Sequence, residues 1–182
     1  KLPYPFTPLT ADPDADYVQH LIYDIDRLKP QLSAPGSPDD VHQLQDYAGT
    51  PISYAFIGSC VNGRLEDLHT AARVLRDAHI APGVRLVIAP ASRDIFLRAL
   101  DDGTVAELTR AGATFLPSGC GPCVGTHAGV PGDGETVIST ANRNFKGRMG
   151  NPRARVFLGA PSAVAAAART GQITDPTPFL ES

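Results

Sequence analysis

The sequence has little cysteine, no excess of charge of either sign and no long apolar run, and each shortage removes a class of protein. Three cysteines occur in 182 residues, Cys60, Cys120 and Cys123. An odd number does not suit a disulfide framework, and free thiols fit a reducing compartment such as the cytoplasm. Sixteen Lys and Arg against nineteen Asp and Glu leave a formal net charge of −3. That balance gives no reason to expect nucleic acid or an anionic membrane as partner. The basic residues are scattered apart from a small group, Arg143, Lys146, Arg148, Arg153 and Arg155. The longest apolar run, Ala163 to Ala168, is far too short to span a bilayer. No basic start followed by an apolar stretch marks a secretory signal. The sequence begins at Lys1 without a methionine, so a processed or trimmed piece, or one segment of a longer chain, is expected.

What is present is a core and many turns. Hydrophobic residues make up 42%, ordinary for a globular protein. A domain near this size buries roughly 70% of its unfolded surface. Gly and Pro number 17 each and are well spread, which predicts turns rather than disorder. The length suits one domain, or one domain with an arm. Residues 1–50 read as the arm or linker. Pro3, Pro5, Pro8 and Pro13 open it without periodicity, and Pro30, Pro35, Gly36 and Pro38 force a second irregular crossing. Between them Val18, Leu21, Ile22 and Ile25 fit a helix or a short strand equally. Such a stretch more often packs across another domain than stands alone.

Residues 51–182 read as the folded domain. Strands are predicted at Ile52–Ile57, Val84–Ala89, Ala113–Leu116, Thr136–Thr140 and Arg155–Leu158. Val84–Ala89 is near-continuously apolar, the sign of a strand buried on both faces. Helices are predicted at Arg64–Ala78, Ser92–Leu100 (with Ile95, Phe96, Ala99 and Leu100 inward) and Ser162–Thr170. Thr104-Val105-Ala106-Glu107 has the form of a capping box opening another. Strands alternating with helices predict an α/β fold with a mostly parallel, helix-covered sheet in three layers, α/β/α. Ligands of such sheets collect outside the carboxyl ends of the strands. Cys60, the Cys120–Cys123 pair and Asn142-Arg143-Asn144 each follow a predicted strand, so all three loops open toward one edge.

The three cysteines admit four readings. They are incidental thiols, although each lies in a Gly-flanked loop. They are a redox dithiol, because Cys120-Gly121-Pro122-Cys123 has the right form; yet Val124 to Gly132 will not hold the helix that chemistry needs, and Cys60 is left unexplained. They are a zinc site completed by His127 or His69. Or they hold an iron–sulfur cluster. Four thiolates saturate a cubane, so three leave one iron open as a Lewis acid for a hydroxyl and a carboxylate.

Three stretches resemble the cluster- and substrate-binding motifs of the aconitase superfamily. They are Ile57-Gly58-Ser59-Cys60-Val61-Asn62-Gly63-Arg64-Leu65-Glu66-Asp67-Leu68, Gly119-Cys120-Gly121-Pro122-Cys123 and Ser139-Thr140-Ala141-Asn142-Arg143-Asn144-Phe145-Lys146-Gly147-Arg148-Met149-Gly150. Within the superfamily the resemblance is to the third, C-terminal domain of the isopropylmalate isomerase and homoaconitase large subunit. It runs from about Tyr17 to the end and takes in Leu28-Lys29-Pro30-Gln31.

The resemblance implies that Cys60, Cys120 and Cys123 ligate a [4Fe–4S] cluster with one open iron. It implies that Arg143 and Arg148 hold substrate carboxylates, a role suited to a planar fork of donors, and that Asn142 lies near the substrate. Asn62, His127 and Asn144 are equally expected to serve loop hydrogen bonding or to support the site. Val61 departs from the threonine usual in the family, which puts one hydrogen bond beside the cluster in doubt. The implied activity is dehydration and rehydration of a hydroxy di- or tricarboxylic acid. The implied partners are the remaining large-subunit domains and a small swivel-domain subunit, which carry the proton-transfer groups. Without them the chain is expected to be inactive. Arg148→Lys is then expected to weaken substrate use and leave the cluster spectrum intact. The rival expectation is a non-catalytic cluster- or metal-binding domain for sensing, assembly or structure.

Overall fold

The apolar runs of the sequence become the parallel centre of a seven-stranded sheet in a computed structural model that describes residues 5–181. Residues 1–4, including Pro3 at the start of the expected arm, and Ser182 lie outside the described residues. The strands are β1 (Gln31–Ser33), β2 (Val41–Gln43), β3 (Tyr54–Gly58), β4 (Arg85–Ala89), β5 (Thr114–Phe115), β6 (Thr136–Ser139) and β7 (Arg155–Gly159). Their spatial order is β2-β1-β7-β6-β3-β4-β5. The helices are α1 (Ser59–Asn62), α2 (Leu65–Leu75), α3 (Arg93–Asp101), α4 (Thr104–Ala111), α5 (Gly121–Val124), α6 (Pro161–Thr170) and α7 (Thr177–Leu180).

Strands β7, β6, β3, β4 and β5 run parallel. In β3, at the centre, every residue is buried, and Phe56 is paired with Val87 on one side and Ser139 on the other. Successive side chains point to opposite faces, so β3 feeds two cores. Ala55 and Ile57 face the longer helices, with Leu68 and Leu75 of α2, Leu108 of α4 and Val164 of α6. Tyr54 and Phe56 face the other side, which is covered by Cys123 from the segment after β5 and by Ala141 and Met149 from the loop after β6. Right-handed crossovers account for the division. The chain moves from β3 to β4 to β5 in one direction with helices on one face. The return from β5 to β6 reverses direction and crosses the opposite face. That layer is mainly loop, with α5 as a single turn.

The carboxyl ends of β3 and β6 are therefore the point where connections leave for opposite faces, which is where open α/β sheets form a crevice. The expected α/β class and mostly parallel sheet are present. The expected irregular crossing before residue 50 differs. β1 pairs antiparallel with β7, Leu32 opposite Gly159, and with β2, while Leu32 and Leu44 are buried in the main core. Hydrogen bonding thus continues back to Gln31 across the division at residue 50. Strands of three residues leave no period to read. Residues 5–29 are exposed throughout, and Tyr17–Leu28 forms neither of the expected elements beyond one 3-10 turn, Ile25–Arg27.

Helix starts show where local chemistry was outcompeted. Ser92, expected as the first residue of the helix, caps α3 instead, its hydroxyl accepting from the Ile95 N–H at 3.2 Å. Before α4 the capping box does not form. Gly103 takes the cap position in a left-handed conformation, and Asp102 Oδ1 accepts from the Thr104 N–H at 3.0 Å. Leu100, expected inward, is exposed; Ala99 is the fully buried residue of α3. α6 ends as expected at Gly171, whose φ of 80° suits a residue without Cβ.

Candidate metal centre

Three turns meet above the carboxyl ends of β3 and β6, and glycines let them approach. The first turn is α1. A Cβ at Gly58 would run into the backbone of Ala89, and one at Gly63 would lie 2.7 Å from Ala89 O. The turn is thereby seated against the end of β4, with Ala91 N donating to Gly63 O at 2.8 Å. Ser59 follows Gly58 with φ of 71°, rare for a residue with a side chain, and Cys60 comes next, exposed.

Thr140 clamps this turn to β6. Its hydroxyl accepts from the Gly58 N–H at 2.9 Å, and its carbonyl accepts from Asn62 Nδ2 at 2.9 Å. Asn62 is thus occupied in holding the loop.

The second turn is α5, with Cys120 at its cap position and Cys123 buried inside it. Gly125 stops it after one turn, at φ 66°. The third is the arginine loop after β6. Gly150, at φ 96°, packs directly on Gly125, and a Cβ at Gly125 would fall within the backbone of Gly150. Asn144 anchors the loop from beneath. It is buried, and its Nδ2 donates to Ala34 O at 2.6 Å and Val156 O at 3.0 Å. Arg148 joins the second and third turns, its Nε donating to Cys123 O at 3.1 Å. Its guanidinium lies 5.6 Å from the Phe145 ring centroid.

The result is a cavity of about 200 Å³ lined by Ser59, Cys60, Cys120, Cys123, Asn142 and Arg148, together with Pro90, Ala91, Gly119 and Val124. Arg143 is not among the lining residues; it is exposed on the same loop. Larger clefts, about 560 Å³ beside His79 and Asp102 and about 470 Å³ beside Phe96 and Phe115, contain none of the thiols. Donor chemistry, and not size, selects the smaller one.

Among the described residues no three His, Cys, Asp or Glu side chains are grouped so as to hold a single metal ion. The imidazoles a zinc site would recruit are engaged or placed elsewhere. His127 is exposed beside Gly121 and does not line the cavity. His69 on α2 bonds Asp102 Oδ2 at 2.8 Å, and hydrogen bonds from Thr104 and then from His69 hold that carboxyl down at about 2. One of the lining residues also carries an unmet polar group. The Ser59 hydroxyl is buried with no hydrogen-bond partner, which costs about 1–3 kcal/mol if nothing fills the space. Three thiols lining one cavity suit an iron–sulfur cluster, whose usual ligands are thiolates.

Sequence reasoning did not single out Ser59, Thr140 or the Gly125–Gly150 contact. The first two lie within the motifs, but an unpaired hydroxyl and a cross-strand clamp leave no mark in a one-dimensional pattern.

The chain is similar to known proteins over most of its length. A model of the aconitase family (aconitate hydratase) matches residues 45–171. The 3-isopropylmalate dehydratase large subunit 2 of Archaeoglobus fulgidus is 47% identical over 175 residues, covering 96% of this chain and 42% of that protein. The homoaconitase large subunit of Thermus thermophilus is 46% identical over 173 residues, covering 95% of this chain and 41% of that protein. The 3-isopropylmalate dehydratase large subunit 1 of Thermotoga maritima is 47% identical over 177 residues, covering 96% and 42% respectively. The chain thus spans about two fifths of the length of the curated relatives it matches.

Proposed function

This chain belongs to the aconitase family, and we propose on that premise that it is the cluster-holding part of a hydro-lyase acting on a hydroxy di- or tricarboxylic acid. The observation that carries the reading is one cavity lined by Cys60, Cys120, Cys123, Asn142 and Arg148. Cys60, Cys120 and Cys123 would hold a [4Fe–4S] cluster, whose open iron, when bound, supplies a Lewis acid that makes the substrate hydroxyl a better leaving group.

The chain's own residues bind and orient. Arg148 spends Nε on the Cys123 carbonyl, which leaves both terminal nitrogens for one substrate carboxylate. Asn142 offers a neutral donor at the same cavity. Arg143, exposed on the loop, is placed for a second carboxylate as substrate enters. Holding the acid by two carboxylates fixes which hydroxyl faces the thiolates, the positional part of catalysis.

The base comes from elsewhere. Among the described residues that line the cavity there is no carboxylate or imidazole. Proton transfer at the neighbouring carbon therefore falls to the region that completes the large subunit of the relatives and to a small-subunit partner. Isopropylmalate and homoaconitate-type acids are the substrate class the relatives' names suggest. The same lack of an acid–base pair supports a second reading, cluster holding without turnover.

The test is anaerobic reconstitution with iron and sulfide, then iron and labile-sulfide analysis and EPR with and without a hydroxy acid. A cluster whose signal shifts with the acid is expected. Three free thiols and no cluster would overturn the reading. Adding the missing polypeptides separates the two readings, since only the enzyme gains turnover.

A further inference from the structure

We infer that the Ser59 hydroxyl is a hydrogen-bond donor to a sulfur atom of the cluster, either a thiolate ligand or a bridging sulfide. The inference rests on the cluster reading above and adds a residue to it.

Two unfavourable features coincide at this position. Ser59 is 5% exposed and its hydroxyl has no partner. Its backbone is also at φ 71°, a conformation that glycine adopts without cost. Glycine occupies Gly58 and Gly63 on either side, where the backbone of Ala89 leaves no room for a Cβ. A glycine at 59 would relieve the strain and remove the unpaired hydroxyl together, so the fold gains nothing from serine here.

What the hydroxyl can serve is the cavity. Two other buried atoms among the described residues lack partners, Tyr54 Oη and Asn144 Oδ1, and neither residue lines it. Ser59 does, beside Cys60, Cys120 and Cys123. The one charged side chain among the lining residues, Arg148, has its Nε committed to the Cys123 carbonyl. Sulfur accepts a hydrogen bond, and the Ser59 hydroxyl is an unpaired donor on a residue that lines the same cavity as the three thiols. Hydrogen bonds to cluster sulfurs delocalise their negative charge and favour the reduced state, which raises the reduction potential.

The test compares Ser59→Ala and Ser59→Gly with the parent chain, cluster-free and after reconstitution with iron and sulfide. Cluster-free, both variants should unfold at the same temperature as the parent or higher, because an unpaired group is removed. Reconstituted, both should show a downward shift in reduction potential and faster iron loss in air. An unchanged potential and loss rate in variants whose parent holds a normal cluster would overturn the Ser59 assignment and leave the cluster reading intact. A lower unfolding temperature in the cluster-free Ser59→Ala chain would assign the hydroxyl to the fold and also overturn it. Failure of the parent to take up iron and sulfide would sink both.

Discussion

Replacing Arg148 by lysine separates the two tasks the structure gives this side chain. The Nε donor to the Cys123 carbonyl, at 3.1 Å and partly buried, ties the arginine loop to the cysteine turn. Hydrogen bonds from charged groups contribute about 1.5–3 kcal/mol net. Contact with the Phe145 face, at 5.6 Å, adds about 0.5 kcal/mol. A lysine ammonium can recover part of the first but cannot serve the carbonyl and a carboxylate together. The cluster-free variant is therefore expected to lose about 1–2 kcal/mol in urea unfolding. After reconstitution, affinity for a hydroxy acid should fall by about tenfold or more, and the EPR signal should broaden as the Cys123 turn loosens. The motif alone led to the expectation of an intact spectrum; the bond to Cys123 is the reason for a different one. Unfolding energies equal within about 0.3 kcal/mol, with unchanged cluster signal, would refute the coupling.

Three further outcomes follow from named contacts. Gly125→Ala puts a Cβ into the Gly150 backbone at φ 66° and should cost about 2–4 kcal/mol, seen by urea unfolding together with reduced cluster uptake. Thr140→Val strips the acceptor from the buried Gly58 N–H and should cost about 1–3 kcal/mol while making Cys60 react faster with a thiol reagent; unchanged reactivity would count against the clamp. The Asp102 carboxyl is held at about 2, below its unfolded value, so its contribution to stability is present above pH 4 and is lost as the pH falls from about 4 to 2. Asp102→Asn should lessen that acid loss, as followed by thermal unfolding at pH 5 and pH 2.5.

How much was legible depended on whether the cause was local. The apolar run at Val84–Ala89, buried from Leu86 onward, the helix on Leu65, Leu68, Ala72 and Leu75, and the stop at Gly171 all record their structure in their own spacing. β1 and β2 do not, because three residues carry no period and their place comes from pairing with β7. The box at Thr104 failed because Asp102, two residues earlier, takes the Thr104 N–H instead. Leu100 turned outward although its helix was placed correctly, because the packing of α2 and α4 around Ala99 sets which face is inside.

By itself the sequence determined the α/β class, the three cysteines, and the loops that carry them, since apolar periodicity and Gly-flanked turns are properties of neighbouring residues. Tertiary structure alone decided that Cys60, Cys120 and Cys123 share one cavity with Arg148 while Arg143 stays outside it. The reversal of strand order at β3 and β6 brings a loop from the far edge strand back across the sheet. Glycine-on-glycine contact at Gly125 and Gly150 then lets it close on the arginine loop. Both are contacts between residues distant in the chain, and the spacing of residues along a sequence holds no record of them.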